Sequence, residues 1–169
     1  MVKSKIKYIV IGLVIVIIII IATQTRSILQ KYQDVANGNE CGISLTNKNR
    51  IFEAETSNRF HGDGVRYKVY RFEKVDIELI ISKIKKNNKW KSCPFDNAFA
   101  DIVERYINNN PEYTNLLKNS KYKVPIPNIQ NGYYLFVNEN TSNDGYYSNF
   151  SLYILDLDTG LLYFITYDS

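Results

Sequence analysis

At 169 residues with 21 Lys and Arg against 17 Asp and Glu, the chain has room for one modest domain and carries a net charge of +4. That charge is no nucleic-acid signature: Lys3, Lys5 and Lys7 stand ahead of the first apolar run, and without them 18 basic residues face 17 acidic ones. With one histidine and two cysteines, zinc-ligand spacing is absent as well, and neither a metal nor another cofactor is called for.

From Tyr8 to Ala22 the chain reads YIVIGLVIVIIIIIA, without a charged or strongly polar group. With Ile6 and Thr23, and Lys7 reaching towards the interface, about 18 residues match a hydrocarbon layer of about 30 Å. A surface helix needs a polar face, which this run lacks. It predicts a transmembrane helix over 8–25 that contacts the lipid bilayer. A cleaved secretory signal is the alternative, but the apolar stretch is long and no small-x-small site follows it. A lipoprotein needs a cysteine directly after the run, and the first is Cys41. Three lysines on the short N-terminal side place residues 1–7 in the cytoplasm and the remainder outside, as a single-pass protein of the cell membrane.

Residues 26–48 are polar, rich in Asn and Gly, and read as a stalk; the folded exterior domain is expected over 49–169. Ile51 to Thr56 and Val65 to Phe72 alternate as half-buried strands do. A helix capped by Asp76 follows, with Ile77, Ile80, Ile81 and Ile84 on one face and Lys83, Lys85 and Lys86 at its end. A second helix is expected from a cap at Ser92 or Cys93, with Pro94 in its first turn and a stripe of Phe95, Phe99, Ile102 and Tyr106. Pro111 starts a short helical segment, and Pro125 and Pro127 enforce an extended connector. Three strands close the chain: Gly132 to Asn138, then FSLYILDL and LLYFITY joined by Asp158, Thr159 and Gly160. The order β-β-α-α-β-β-β implies an α+β domain, an antiparallel sheet with helices on one face.

The candidate chemistry is sparse. FHGDG, Phe60 to Gly64, holds the sole histidine. His61 and Asp63 suit a partner or ligand contact, or an acid/base pair, and the two glycines suit a plain hairpin turn. A two-residue loop of Gly62 and Asp63 would set Phe60 opposite Val65 and draw Glu55 towards Lys68, away from the tip. In such a turn Gly62 or Gly64 takes positive φ. Asp156 and Asp158 read as turn residues more readily than as a carboxylate pair. The Asn, Glu and Asp oxygens of Asn138 to Gly145 lack EF-hand spacing. Cys41 and Cys93, in a compartment where disulfides persist, are expected to be joined; the alternatives are two separate thiols, or Cys93 as a nucleophile with His61 as its base. The many tyrosines suit either a binding groove or amphipathic strands.

Thr56 followed by Phe60–Gly64 and an amphipathic strand resembles the T-H-G-G-F-H-G-D-G hairpin of a group of small lipoproteins and membrane-anchored proteins of Gram-positive bacteria. Ser57, Asn58 and Arg59 depart from that pattern. The resemblance implies the architecture of an anchor with an exterior domain and carries no activity with it.

The expectation is therefore an envelope protein whose exterior domain binds another envelope protein, as an accessory or immunity-type subunit, because no catalytic set assembles from the sequence. An envelope hydrolase using His61 and Asp63 is the alternative. A third reading is association through the membrane helix, although that helix has one glycine, Gly12, and no small-xxx-small seam.

Overall fold

The computed structural model describes residues 2–56, 64–118, 120–122, 129–139 and 147–168. Its first element is α1, Val2–Cys41, which does not stop where the apolar run stops. It is the one helix among the described residues long and apolar enough to cross a membrane. Beyond Ala22 it continues for about five turns, Thr23 and Thr25 returning their hydroxyls to the carbonyls of Ile19, Ile20 and Ile21.

Six antiparallel strands follow in the spatial order β1-β2-β6-β5-β4-β3. They are β1 (Arg50–Glu55), β2 (Gly64–Arg71), β3 (Lys91–Ser92), β4 (Gly132–Asn138), β5 (Asn149–Asp156) and β6 (Leu161–Asp168). The helices are α2 (Lys74–Ile84), α3 (Asn97–Val103), which runs into a π-helical turn at Glu104–Asn108, and α4 (Pro111–Leu117). The α+β class and the order of elements are as the sequence implies, with the two-residue β3 added at one edge.

The helices, expected on one face, cover both. Strand alternation sends Val65, Tyr67, Val69, Leu152, Ile154, Tyr163 and Ile165 to one face, where Phe99, Val103, Ile107, Tyr113 and Leu117 pack on them. It sends Tyr70, Leu135, Tyr153, Leu155, Leu162 and Phe164 to the other, against Cys41, Ile43, Leu45, Ile80, Ile84 and Trp90. Both faces of the central strands β5 and β6 are apolar, so a single helical layer leaves one of them wet.

The stalk expected at 26–48 is instead part of the domain. Asp34 is 1% exposed, and Cys41, Ile43 and Leu45 are buried. The segment has few apolar residues because polar ones dock it. Asp34 Oδ1 accepts from Lys68 Nζ at 3.0 Å and from the Tyr70 hydroxyl at 2.7 Å, while Arg50 Nη1 lies 3.2 Å from Oδ2. Glu53 Oε1 stands 3.6 Å from Lys68 Nζ, Glu53 Oε2 accepts from Gln30 at 3.3 Å, and Gln30 Oε1 accepts from Arg50 Nη2 at 3.2 Å. A bulge between Arg50 and Phe52 makes this possible: it turns Arg50 to the face of Glu53 and Lys68, opposite Phe52. Further along, the Tyr153 hydroxyl meets Glu40 and the carbonyl of Asn37, and Trp90 Nε1 donates to the carbonyl of Cys41 at 2.8 Å, occupying an acceptor at the end of α1.

Two helix starts differ from expectation. Lys74 opens α2 two residues ahead of Asp76, with Glu73 at the cap position. Asp96 caps α3, its Oδ1 accepting from Phe99 N at 2.8 Å. Ser92 and Cys93 are unavailable as caps because their backbones are in the sheet: Ser92 pairs with Tyr133, and Cys93 N donates to the carbonyl of Gly132 at 3.0 Å. Pro94 therefore precedes the helix. Asp96 also receives Lys91 Nζ at 2.8 Å, and this bond holds its carboxyl below the usual carboxylate range.

Removing Asp34 leaves Arg50 and the fully enclosed Lys68 to share Glu53, at 3.3 and 3.6 Å. Asp34→Ala should therefore cost about 3–5 kcal/mol, measured as a shift in the urea unfolding midpoint of the full chain in detergent micelles. The double variant Asp34→Leu/Lys68→Met, with no charge left unpaired between those two positions, should recover more than half of the loss.

Candidate functional site

At the end of the sheet that carries the ends of β1 and β6 and the starts of β2 and β5, a cleft of about 320 Å³ opens beside α1. Strand ends converge there because the antiparallel register stops on one line: Glu55 faces Arg66, Gly64 faces Asp168, and Asp168 faces Asn149. Ala36, Asn37 and Glu40 of α1 form one wall, and Glu139, just after β4, another. Among the described residues the lining bears the carboxylates of Glu40, Glu55, Glu139 and Asp168 and one cation, Arg66. Arg66 Nε lies 3.5 Å from Glu55, Glu139 accepts from the Ser151 hydroxyl at 3.3 Å, and Glu40 accepts from Tyr153. Excess negative charge and a row of hydroxyls make the cleft suited to a cationic or hydrogen-bond-donating group.

The expected hairpin register is corrected. Glu55 stands opposite Arg66 and Glu53 opposite Lys68, and Thr56 N donates to the carbonyl of Val65, a pairing that a two-residue loop of Gly62 and Asp63 would not give. The constraint is burial: this register puts Phe52 and Ala54 over Val69 and Tyr67 while Glu53 faces Lys68 in the Asp34 cluster. Glu55 is still drawn into cross-strand pairing, with Arg66 as the partner. His61 and Asp63 lie outside the described residues, as do most of Asn138 to Gly145. What is described is the border of FHGDG. Gly64 has φ +146°, and a Cβ there would stand 2.5 Å from Thr56 Oγ1, the atom that accepts from Val65 N at 3.0 Å.

Cys41 and Cys93 are both free, and they belong to opposite faces of the sheet. Cys41 sits among Ile43, Ile80 and Trp90, whereas Cys93 packs against the Phe99 and Tyr134 side, so the expected bridge would have to pass through the sheet. Burial pushes the Cys41 thiol up to about 12 and Cys93 up to about 11. Such thiols are poor nucleophiles at neutral pH. Asp156 and Asp158 are turn residues: Asp156 accepts from Asp158 N at 2.9 Å and from the Thr159 hydroxyl at 2.7 Å, and Asp158 accepts from Asn131 at 2.7 Å. Tyr67, Tyr70, Tyr134, Tyr153 and Tyr163 are core residues; of the tyrosines, Tyr167 lines the cleft. Among the described residues no three His, Cys, Asp or Glu side chains group as a metal site needs.

Asp34, Glu40, Arg50 and Lys68 escaped notice as a set because a polar segment reads as linker. The available signal was spacing: Gln30, Asp34, Asn37 and Cys41 fall at i, i+4, i+7 and i+11, one face of a helix.

Comparison of the chain with family models, curated proteins and solved structures finds no match.

Two outcomes follow from this geometry. Gly64→Ala should cost about 1 kcal/mol or more in urea unfolding, because the backbone conformation and the Thr56 contact both oppose a side chain. Alkaline stability should fall as well. A folded-state thiol pKa above the unfolded value of ~8.5 leaves stability intact below that value and removes it as pH rises towards about 12. Buried Tyr67, Tyr70 and Tyr153, raised chiefly by desolvation, add the same sign at higher pH. Melting curves from pH 8 to 11 should show this decline, and Cys41→Ala should flatten its first part.

Proposed function

We infer that this chain is a single-pass protein of the cell membrane, its N-terminus cytoplasmic, whose α+β domain stands outside as a binding module for another envelope protein, of the accessory or immunity type. The observation that carries the reading is that the apolar run and a layer of the domain belong to one continuous helix. The same α1 that is long enough to span a bilayer ends inside the domain's core, locked by Asp34, Tyr153 and Trp90. A continuous helix through residues 18–30 supports an uncleaved anchor over a removed signal. The arrangement holds the cleft at a fixed height: Asn37 lies about 22 Å along the helix from Ala22. A partner reaching it would offer a basic or amide-rich segment to Glu139 and Asp168. His61 and Asp63, which precede the cleft-lining Gly64 in the chain, are assigned as partner contacts. That same sequence proximity to the cleft supports the second reading, an envelope hydrolase using His61 and Asp63.

Protease added to intact cells should cut beyond residue 30 and leave an N-terminal tag protected; the reverse pattern overturns the orientation. Proteins cross-linked to the chain in intact cells should include one species reduced at least tenfold by Glu139→Lys/Asp168→Lys and by His61→Ala/Asp63→Ala, and unchanged by Lys85→Glu just past the end of α2. Equal capture by all variants overturns the binding module. Loss of turnover of an envelope polymer in His61→Ala/Asp63→Ala, with capture intact, would establish the hydrolase.

A further inference from the structure

Among the described residues, none covers the middle of the face of α1 turned away from the sheet. Outside the apolar run it shows Ile28 (52% exposed), Tyr32 (72%) and Val35 (55%). These residues do not stand alone. Val14, Ile21, Ile28 and Val35 recur every seven residues, and Ile11, Ile18, Thr25, Tyr32 and Asn39 form a second sevenfold row. From Thr25 to Asn39 they alternate in steps of three and four, the a and d spacing of a coiled coil, and the all-apolar run before them accepts the same register. At 3.6 residues per turn this seam lies about 160° around the helix from the Gln30, Asp34, Asn37 and Cys41 stripe that meets the sheet. The domain therefore sits on the back of the seam and leaves it open up to its last turns, where Val35 and Asn39 border a groove with Ser44, Leu45 and Lys83.

We propose that this seam is the interface between two copies of the chain, paired in parallel and in register along α1. The partner helix has to leave the same membrane at the same height, in the same direction and with the same period, and a second copy meets all four conditions by symmetry. The polar members point the same way. Thr25 and Asn39 occupy a positions, and an Asn at such a position is satisfied by its own counterpart in the parallel, in-register pair and by little else. Charge does not oppose it: of the flanking e and g positions from residue 22 to 38, only Lys31 is charged, and across the seam it meets Ala36. The packing needs no small-residue motif, because β-branched knobs in holes replace close backbone contact; such knobs at both a and d also suit three strands, and Asn39 at an a position selects the pair. Three exposed apolar side chains are too few to reach the ~1,200 Å² of a stable soluble interface, so the pair belongs to the membrane-inserted chain, where the span supplies the remaining contact and confines both copies to one plane. The inference rests on the retained anchor of the proposed function and is independent of the cleft and of the orientation.

The full-length chain, reconstituted in vesicles of phosphatidylcholine and phosphatidylglycerol, tests it by oxidative cross-linking of Ile28→Cys, Tyr32→Cys, Val35→Cys and Arg26→Cys. The wild type, with Cys41 buried and Cys93 half-buried, sets the background. A covalent species of twice the chain mass should form at the first three positions at least fivefold above Arg26→Cys, which lies off the seam. Asn39→Lys, placing like charges face to face, should cut the Val35→Cys product at least fivefold. Protein that stays in the vesicles through alkaline carbonate but cross-links equally at all four positions, or only to background, overturns the pairing and leaves the anchor standing. Release by carbonate overturns both.

Discussion

Everything in this molecule hangs on the carboxylate of Asp34. It is a buried anion on a helix, and it is met by a buried lysine, a tyrosine hydroxyl and an arginine from two strands of the sheet. Desolvating such groups is costly, and the cost is recovered only when every partner is present. The contact is therefore a geometric condition more than a source of stability. It fixes where α1 crosses β1 and β2, which way Arg50 turns at its bulge, and how far the helix runs before Trp90 closes its end.

That condition fixes the last turns of the apolar helix against the domain. Because α1 is both the long apolar helix and a layer of the fold, the two share one continuous element. The cleft at the sheet's end takes one wall from the same helix, at Ala36, Asn37 and Glu40. In the readings proposed above, binding in the cleft, pairing along the outer seam and position in the membrane would be three uses of one helix. Its sheet-facing stripe is polar and specific, its outer stripe from Ile28 to Val35 is apolar, and its run from Tyr8 to Ala22 is apolar all round.

The sheet shows why polar residues on α1 face a largely apolar layer at its edge. On the α1 side, β5 and β6 present Tyr153, Leu155, Leu162 and Phe164, whereas β2 presents Lys68 and Tyr70. The helix answers in kind as it crosses, with Asp34 over β2 and Cys41 and Ile43 over the apolar part. Residues that read as scattered in a linear stretch are matched position by position to the strands beneath them.

The sequence by itself determined what depends on local period and turn chemistry: the apolar span, the isoleucine face of α2, the Pro111 helix, the β5–β6 hairpin with Gly160, and with these the α+β class. Each is set by neighbours within a few residues, and the long apolar run needs no partner to be recognised. The tertiary structure decided what depends on residues far apart in the chain. Asp34 and Lys68 make sense as a pair only once α1 lies on β2, and until then the segment between span and strand reads as a stalk. Ser92 and Cys93 lose the role of helix cap because β4 claims their backbone, and Asp96 takes it. The two cysteines are separated because a sheet lies between them, which spacing along the chain does not encode. Burial of charge is a property of the assembled layers, so the site built on it was legible only after they came together.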